Sequence, residues 1–180
     1  LCDVDWEPVY LDFFNGEART QSFRELNVMG EAPFFIDGDV KLSQSGVIQQ
    51  YAVEKSGKLG GTTPEENREI LRWILWDNHK MSGVAVQTRF LNNFLSEAKR
   101  PQDVIAFNKA RLNASLNVLD TALEGRNWLA TDTVTIADTA CCGYLFYPEP
   151  FGFTRADWPN INRWLGNIEL LPDWKHPYDM

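Results

Sequence analysis

The chain is poor in the residues that staple, ligate or span. Its three cysteines are an odd count, and two of them, Cys141 and Cys142, are neighbours within a helical pattern. No disulfide framework is implied, and the composition fits a reducing, cytoplasmic setting. The two histidines, His79 and His176, stand beside no second ligand-type residue at metal spacing, so no metal site is expected. No apolar run approaches the length of a membrane span. Basic residues are outnumbered, 17 against 25 acidic, and the net charge of −8 argues against nucleic acid and anionic membrane surfaces as partners. A small anionic ligand would need a local positive site. What the chain does have is apolar mass: 44% hydrophobic residues and seven tryptophans, ample for packed cores at a length between one domain and two. It begins at Leu1 and not at a methionine, so targeting is not legible.

Residues 6–14 alternate and then run apolar (Val9, Leu11, Phe13, Phe14), the pattern of a strand, which Asn15-Gly16 ends. Residues 22–27 suit a short helix. Residues 34–37 and 40–42 read as two strands joined by a hairpin turn at Asp37-Gly38-Asp39. Ser45 opens a helix carrying Val47, Ile48, Tyr51 and Ala52, and Gly57 stops it. After the linker at residues 58–63 strand signals largely vanish, which sets domains at 1–57 and 64–180. Thr63-Pro-Glu-Glu66 combines a threonine cap, an initial proline and a capping-box glutamate, with Ile70, Leu71, Ile74 and Leu75 following on one face and a kink expected at Ser82-Gly83. Leu112, Leu116, Leu119 and Leu123 recur at helical spacing. Residues 135–147 form a further helix, rich in small residues and expected to be the most buried. Ile161, Trp164, Leu165 and Ile168 mark a last amphipathic helix before Pro172. The tryptophans 73, 76, 128, 158 and 164 are expected in the core.

Two motifs carry the functional signal. In Asn27-Val-Met-Gly-Glu-Ala-Pro33, a turn at Gly30 leads to a strand opened by a proline that cannot donate to a ladder. The preceding Ala32 is held extended, its backbone free to pair with something else. In Leu42-Ser-Gln-Ser45 a strand ends at a helix start, where a hydroxyl and unpaired N–H groups make a seat for an anion. A free strand-like backbone beside an anion seat suits a peptide ligand. The plainer alternative is that Ser45 only caps its helix and Gln44 is solvated.

These motifs resemble the glutathione site of the glutathione transferases, and Thr135-Ile-Ala-Asp138 and Trp158-Pro-Asn-Ile-Asn-Arg-Trp-Leu resemble that family's capping box and terminal helix. The likeness spans nearly the whole chain and is nearest the phi- and theta-like members. It implies a thioredoxin-like α/β domain, incomplete here, followed by an all-α domain. It also implies that a first strand and helix, roughly 20 to 25 residues, precede Leu1.

Residue by residue, the resemblance implies that Ala32 pairs with the cysteinyl backbone of glutathione. It makes Pro33 cis, where the residues alone would suggest trans. Ser45 would bind the γ-glutamyl carboxylate and Gln44 would orient that group. Arg19, otherwise a solvated loop cation, would reach the glycine carboxylate. Two departures stand out: Ala18 replaces a histidine, and Glu31 brings a carboxylate that would repel glutathione unless it points away. Asn78, His79 and Met81 would line a second-substrate pocket, Asp77 would approach a partner subunit's glutathione, and Thr135 with Asp138 would cap a helix. Catalysis in such enzymes stabilises the glutathione thiolate, and lowering a thiol pKa by about two units takes about 2.7 kcal/mol. The tyrosine, serine or cysteine that does so would lie upstream of Leu1; Cys2 falls too late in the pattern. The expectation is therefore a cytoplasmic, homodimeric glutathione transferase acting on an apolar electrophile held between its domains. A glutathione-dependent isomerase or dehalogenase, or a non-catalytic interaction module, are the alternatives.

Overall fold

The computed structural model describes residues 1–179, and the chain divides into two units, Cys2–Lys58 and a second that begins at Leu59. In the first unit a 3₁₀ turn (Glu17–Arg19) leads into α1 (Gln21–Leu26), which Thr20 caps by accepting from the Phe23 N–H. A hairpin follows, β1 (Phe34–Asp37) and β2 (Val40–Ser43), antiparallel with Phe34 opposite Ser43 and Asp37 opposite Val40. Gly38, at φ +59°, supplies the left-handed turn between them. Helix α2 (Ser45–Ser56) then ends at Gly57, φ +69°. It is tied to the hairpin through Asp37, which accepts from the Tyr51 hydroxyl at 2.9 Å and pairs with Lys55. That lysine holds the Asp37 carboxyl below the usual carboxylate range.

Residues 6–14 correct the expectation of a strand. They form no ladder among the described residues, and Trp6, Val9, Tyr10, Phe13 and Phe14 are exposed. Alternation prepares a segment for a sheet, but a strand exists only when a neighbour pairs its N–H and C=O groups. The sheet described here has two strands.

The second unit is helical. Its first helix, α3 (Pro64–Trp76), opens with a full capping box: Thr63 Oγ1 accepts from the Glu66 N–H at 3.1 Å, and Glu66 accepts from the Thr63 N–H at 3.2 Å. It passes into a π-helical turn, Asp77–Met81, and continues as α4 (Ser82–Asn93). The irregularity thus falls one turn before Ser82-Gly83. Helix α5 (Gln102–Ala122) buries Ile105, Leu112, Leu116 and Leu119. Helix α6 (Ile136–Cys142) is shorter than its pattern, passing into a 3₁₀ turn at Gly143–Phe146, because Pro148 forces Tyr147 into an extended conformation. Helix α7 (Pro159–Glu169) buries Ile161, Trp164, Leu165 and Ile168. Of the five tryptophans, Trp73 and Trp164 lie in the core; Trp76, Trp128 and Trp158 are half-buried.

The core of this unit centres on Asp138, which is fully buried. One carboxylate oxygen accepts from the Thr135 N–H at 2.9 Å and the Thr135 hydroxyl at 3.2 Å. The other accepts from the Leu129 N–H and the Trp164 indole N–H, each at 2.9 Å. Thr135 Oγ1 in turn accepts from the Ala137 N–H at 3.3 Å. A helix cap here also fastens a loop and α7 to α6, and burial outweighs the donors in raising the Asp138 carboxyl above its ordinary pKa.

Candidate functional site

The site is built at the open end of the hairpin. The ladder closes with Phe34 opposite Ser43, so the segments that lead out of its open end are Glu31-Ala32-Pro33 on one strand and Gln44-Ser45 on the other. The Ala32–Pro33 peptide is cis, and among the described residues the Ala32 N–H and C=O make no hydrogen bond. Across from them, α2 begins. Its Val47 and Ile48 N–H groups both bond to the Gln44 carbonyl, at 3.0 and 3.1 Å, while those of Ser45 and Gly46 find no acceptor among the described residues. No side chain caps this helix, and the exposed Ser45 hydroxyl bonds to nothing among the described residues. Ser45 is therefore the first helical residue and not the cap. Its hydroxyl and the unbonded N–H groups of Ser45 and Gly46 lie together at a helix N-terminus, where negative charge is favoured.

Gln44 occupies an unusual conformation for a residue with a Cβ, φ 71° and ψ 116°. Such strain, of order 1–3 kcal/mol, persists where the surroundings over-determine it. Here the Gln44 amide donates to the Glu31 carboxylate at 3.2 Å and approaches the Met29 sulfur at 3.3 Å, which the Ser43 hydroxyl also meets at 3.3 Å.

Sequence reasoning passed over Asn27, which organises this loop. Only 4% exposed, it donates from Nδ2 to the Glu31 carbonyl at 2.8 Å and accepts the Met29 N–H at 3.2 Å, while its carbonyl takes the Gly30 N–H at 2.9 Å. Gly30 is required twice over: φ is +62°, and a Cβ there would lie 2.9 Å from the Ala18 carbonyl oxygen. That close approach makes the turn bearing Arg19 a neighbour of the Glu31–Pro33 loop. Ala18 is buried against it, and Arg19 is exposed and in no ion pair among the described residues.

In the helical unit the candidate second-substrate residues separate. Asn78 and His79 are exposed. Met81, 1% exposed, and Asp77, 4% exposed, instead continue the core stripe of Ile70, Ile74 and Val84. Met81 therefore packs inside, and Asp77 is buried in its own chain: its carboxylate accepts from the Ser82 hydroxyl at 2.8 Å, and burial pushes its pKa up to about 7. An open cavity of about 270 Å³ lies nearby, lined by Trp76, Lys80, Arg111, Ala114, Ser115 and Val118, none of them among the site residues expected from the sequence. Burial raises the thiol pKa values of Cys141 and Cys142, so neither is poised as a thiolate. No cluster of three metal-ligating side chains occurs among the described residues, and no helix there is long and apolar enough to cross a membrane.

Comparison with known proteins bears on the family and the fold. The glutathione S-transferase N-terminal domain matches residues 1–54, and the glutathione S-transferase C-terminal domain matches residues 84–172. Glutathione S-transferase F14 of Arabidopsis thaliana is 26% identical over 184 residues, covering 95% of this chain and 72% of that protein. Among solved structures, glutathione transferase F2 from Populus trichocarpa superposes with a TM-score of 0.85 at 25% identity, over 99% of this chain and 87% of that one. A glutathione transferase from Burkholderia graminis, with two glutathione molecules bound per subunit, superposes with a TM-score of 0.83 at 25% identity, over 94% and 75%. With both domain signatures present in order on the matching architecture, the chain belongs to the glutathione S-transferase family.

Proposed function

We propose that the chain is a glutathione-dependent transferase: it binds glutathione in its N-terminal unit, delivers the thiolate to a small apolar electrophile, and works as a cytoplasmic homodimer. The observation that carries this reading is the combination, among the described residues, of unbonded backbone groups at Ala32, just before the cis peptide, with unbonded donors at Ser45 and Gly46. Ala32 would exchange two hydrogen bonds with the cysteinyl residue, as in an added strand. Ser45, through hydroxyl and N–H, would take the γ-glutamyl carboxylate together with the Gly46 N–H, and Gln44 would orient that end. Arg19, unpaired and beside the loop, would meet the glycine carboxylate. The relative from Burkholderia graminis, which holds glutathione, supports the ligand class.

In the transfer itself the thiolate sulfur forms a bond to the electrophilic carbon, and the displaced electron pair leaves with a departing group or is protonated after addition. The exposed Asn78 and His79 are the residues proposed to meet the electrophile.

A second reading, a non-catalytic module of the same fold, draws on one observation: the Gln44 amide is already engaged by Glu31. Retention on immobilised glutathione separates the two. A transferase is retained and eluted by free glutathione, and Ser45→Ala abolishes retention; a wild-type chain that passes straight through favours the module.

A further inference from the structure

We propose that Glu31 recognises the amino end of the bound tripeptide, its carboxylate accepting the γ-glutamyl α-ammonium while the first turn of α2 takes the adjoining α-carboxylate. This deepens the glutathione reading and rests on it. The carboxylate stands at the helix start, since its contact, at 3.2 Å, is the amide of Gln44, the residue immediately before α2. Its origin is fixed, because the Glu31 carbonyl is held by the buried Asn27. It is in no ion pair: among the described residues no lysine or arginine lies within ion-pair range of Glu31, the Arg24 guanidinium packing instead against Gly30, and the Gln44 amide is neutral.

A lone carboxylate beside an anion seat is a contradiction for a purely anionic ligand, which it repels at short range. It is complementary to a zwitterion. The α-carbon of a γ-glutamyl group carries a carboxylate and an ammonium together, and here hydrogen-bond donors at Ser45 and Gly46 adjoin an acceptor at Glu31. Gln44, held at φ 71°, bridges the two halves. The apparent flaw in the site therefore becomes its selectivity for a free amino group.

The test compares glutathione with glutaryl-cysteinylglycine, the same skeleton without the amine, on wild type and Glu31→Gln by titration calorimetry. Glu31 is exposed, and glutamine keeps the contact to Gln44, so folding is unaffected; circular dichroism checks this. Expected is a loss of about fivefold in glutathione affinity on Glu31→Gln, steeper at low salt, with the amine-free analogue bound equally or more tightly by the variant. Equal losses for both ligands, or tighter glutathione binding by Glu31→Gln, would overturn the assignment. Wild-type protein that binds neither ligand would instead sink the glutathione reading beneath it.

Discussion

Replacing Asp77 with asparagine exposes a buried acid that the fold holds against its preference. The side chain is 4% exposed, hydrogen-bonded to Ser82, and carried on the π-helical turn between α3 and α4. Burial raises its pKa from 3.8 to about 7, and Ser82 only partly opposes this. Since the folded state binds the proton more tightly than the unfolded chain, stability from this group is greatest below pH 4 and falls as pH rises toward 7. At about 1.36 kcal/mol for each factor of ten in proton affinity, the penalty at full ionisation is on the order of 4 kcal/mol. Asparagine keeps an oxygen for Ser82 and removes the charge. The assay is urea unfolding of wild type and Asp77→Asn from pH 4 to pH 8, followed by far-ultraviolet circular dichroism. The variant should gain on wild type progressively as pH rises, by a few kcal/mol at pH 8. A difference that is flat across this range would refute the reasoning, since it would mean that Asp77 ionises as readily folded as unfolded.

Other expectations follow from the same geometry. Asp138→Ala leaves the Leu129, Thr135 and Trp164 donors buried without an acceptor, and at about 1–3 kcal/mol each the loss should exceed that of Thr135→Ala, about 1–2 kcal/mol, in denaturant unfolding. Gly30→Ala and Gly38→Ala meet nearly the same backbone, φ +62° and +59°, but only the first drives a Cβ against a carbonyl. Gly30→Ala should therefore lower the melting temperature more, and it alone should weaken retention on glutathione by displacing the Glu31–Pro33 loop. Equal effects of the two substitutions would mean that the approach to Ala18 is unimportant.

What could be read in the sequence was mostly local chemistry. The capping boxes at Thr63 and Thr135, the turn at Gly38 and the helix stop at Gly57 each depend on residues a few positions apart. The strand expected at residues 6–14 depended on a neighbour that periodicity cannot supply. Asp77 and Met81 were legible after all: extending the three-and-four spacing of Ile70 and Ile74 reaches both and marks them as core. The meeting of Glu31 with Gln44 lay beyond the sequence, because two side chains thirteen residues apart come together only through the hairpin register and the unusual Gln44 backbone. Asn27 was hidden for a similar reason: its importance comes from burial and not from its type.

The central claim is that glutathione lies along Ala32 with its γ-glutamyl end at the start of α2. Titrating ¹⁵N-labelled protein with glutathione tests it residue by residue. Saturable shifts should be largest at the amides of Ala32, Ser45 and Gly46 and vanish there in Ser45→Ala. Shifts that leave those amides unmoved, or that centre on the helical unit, would contradict the account.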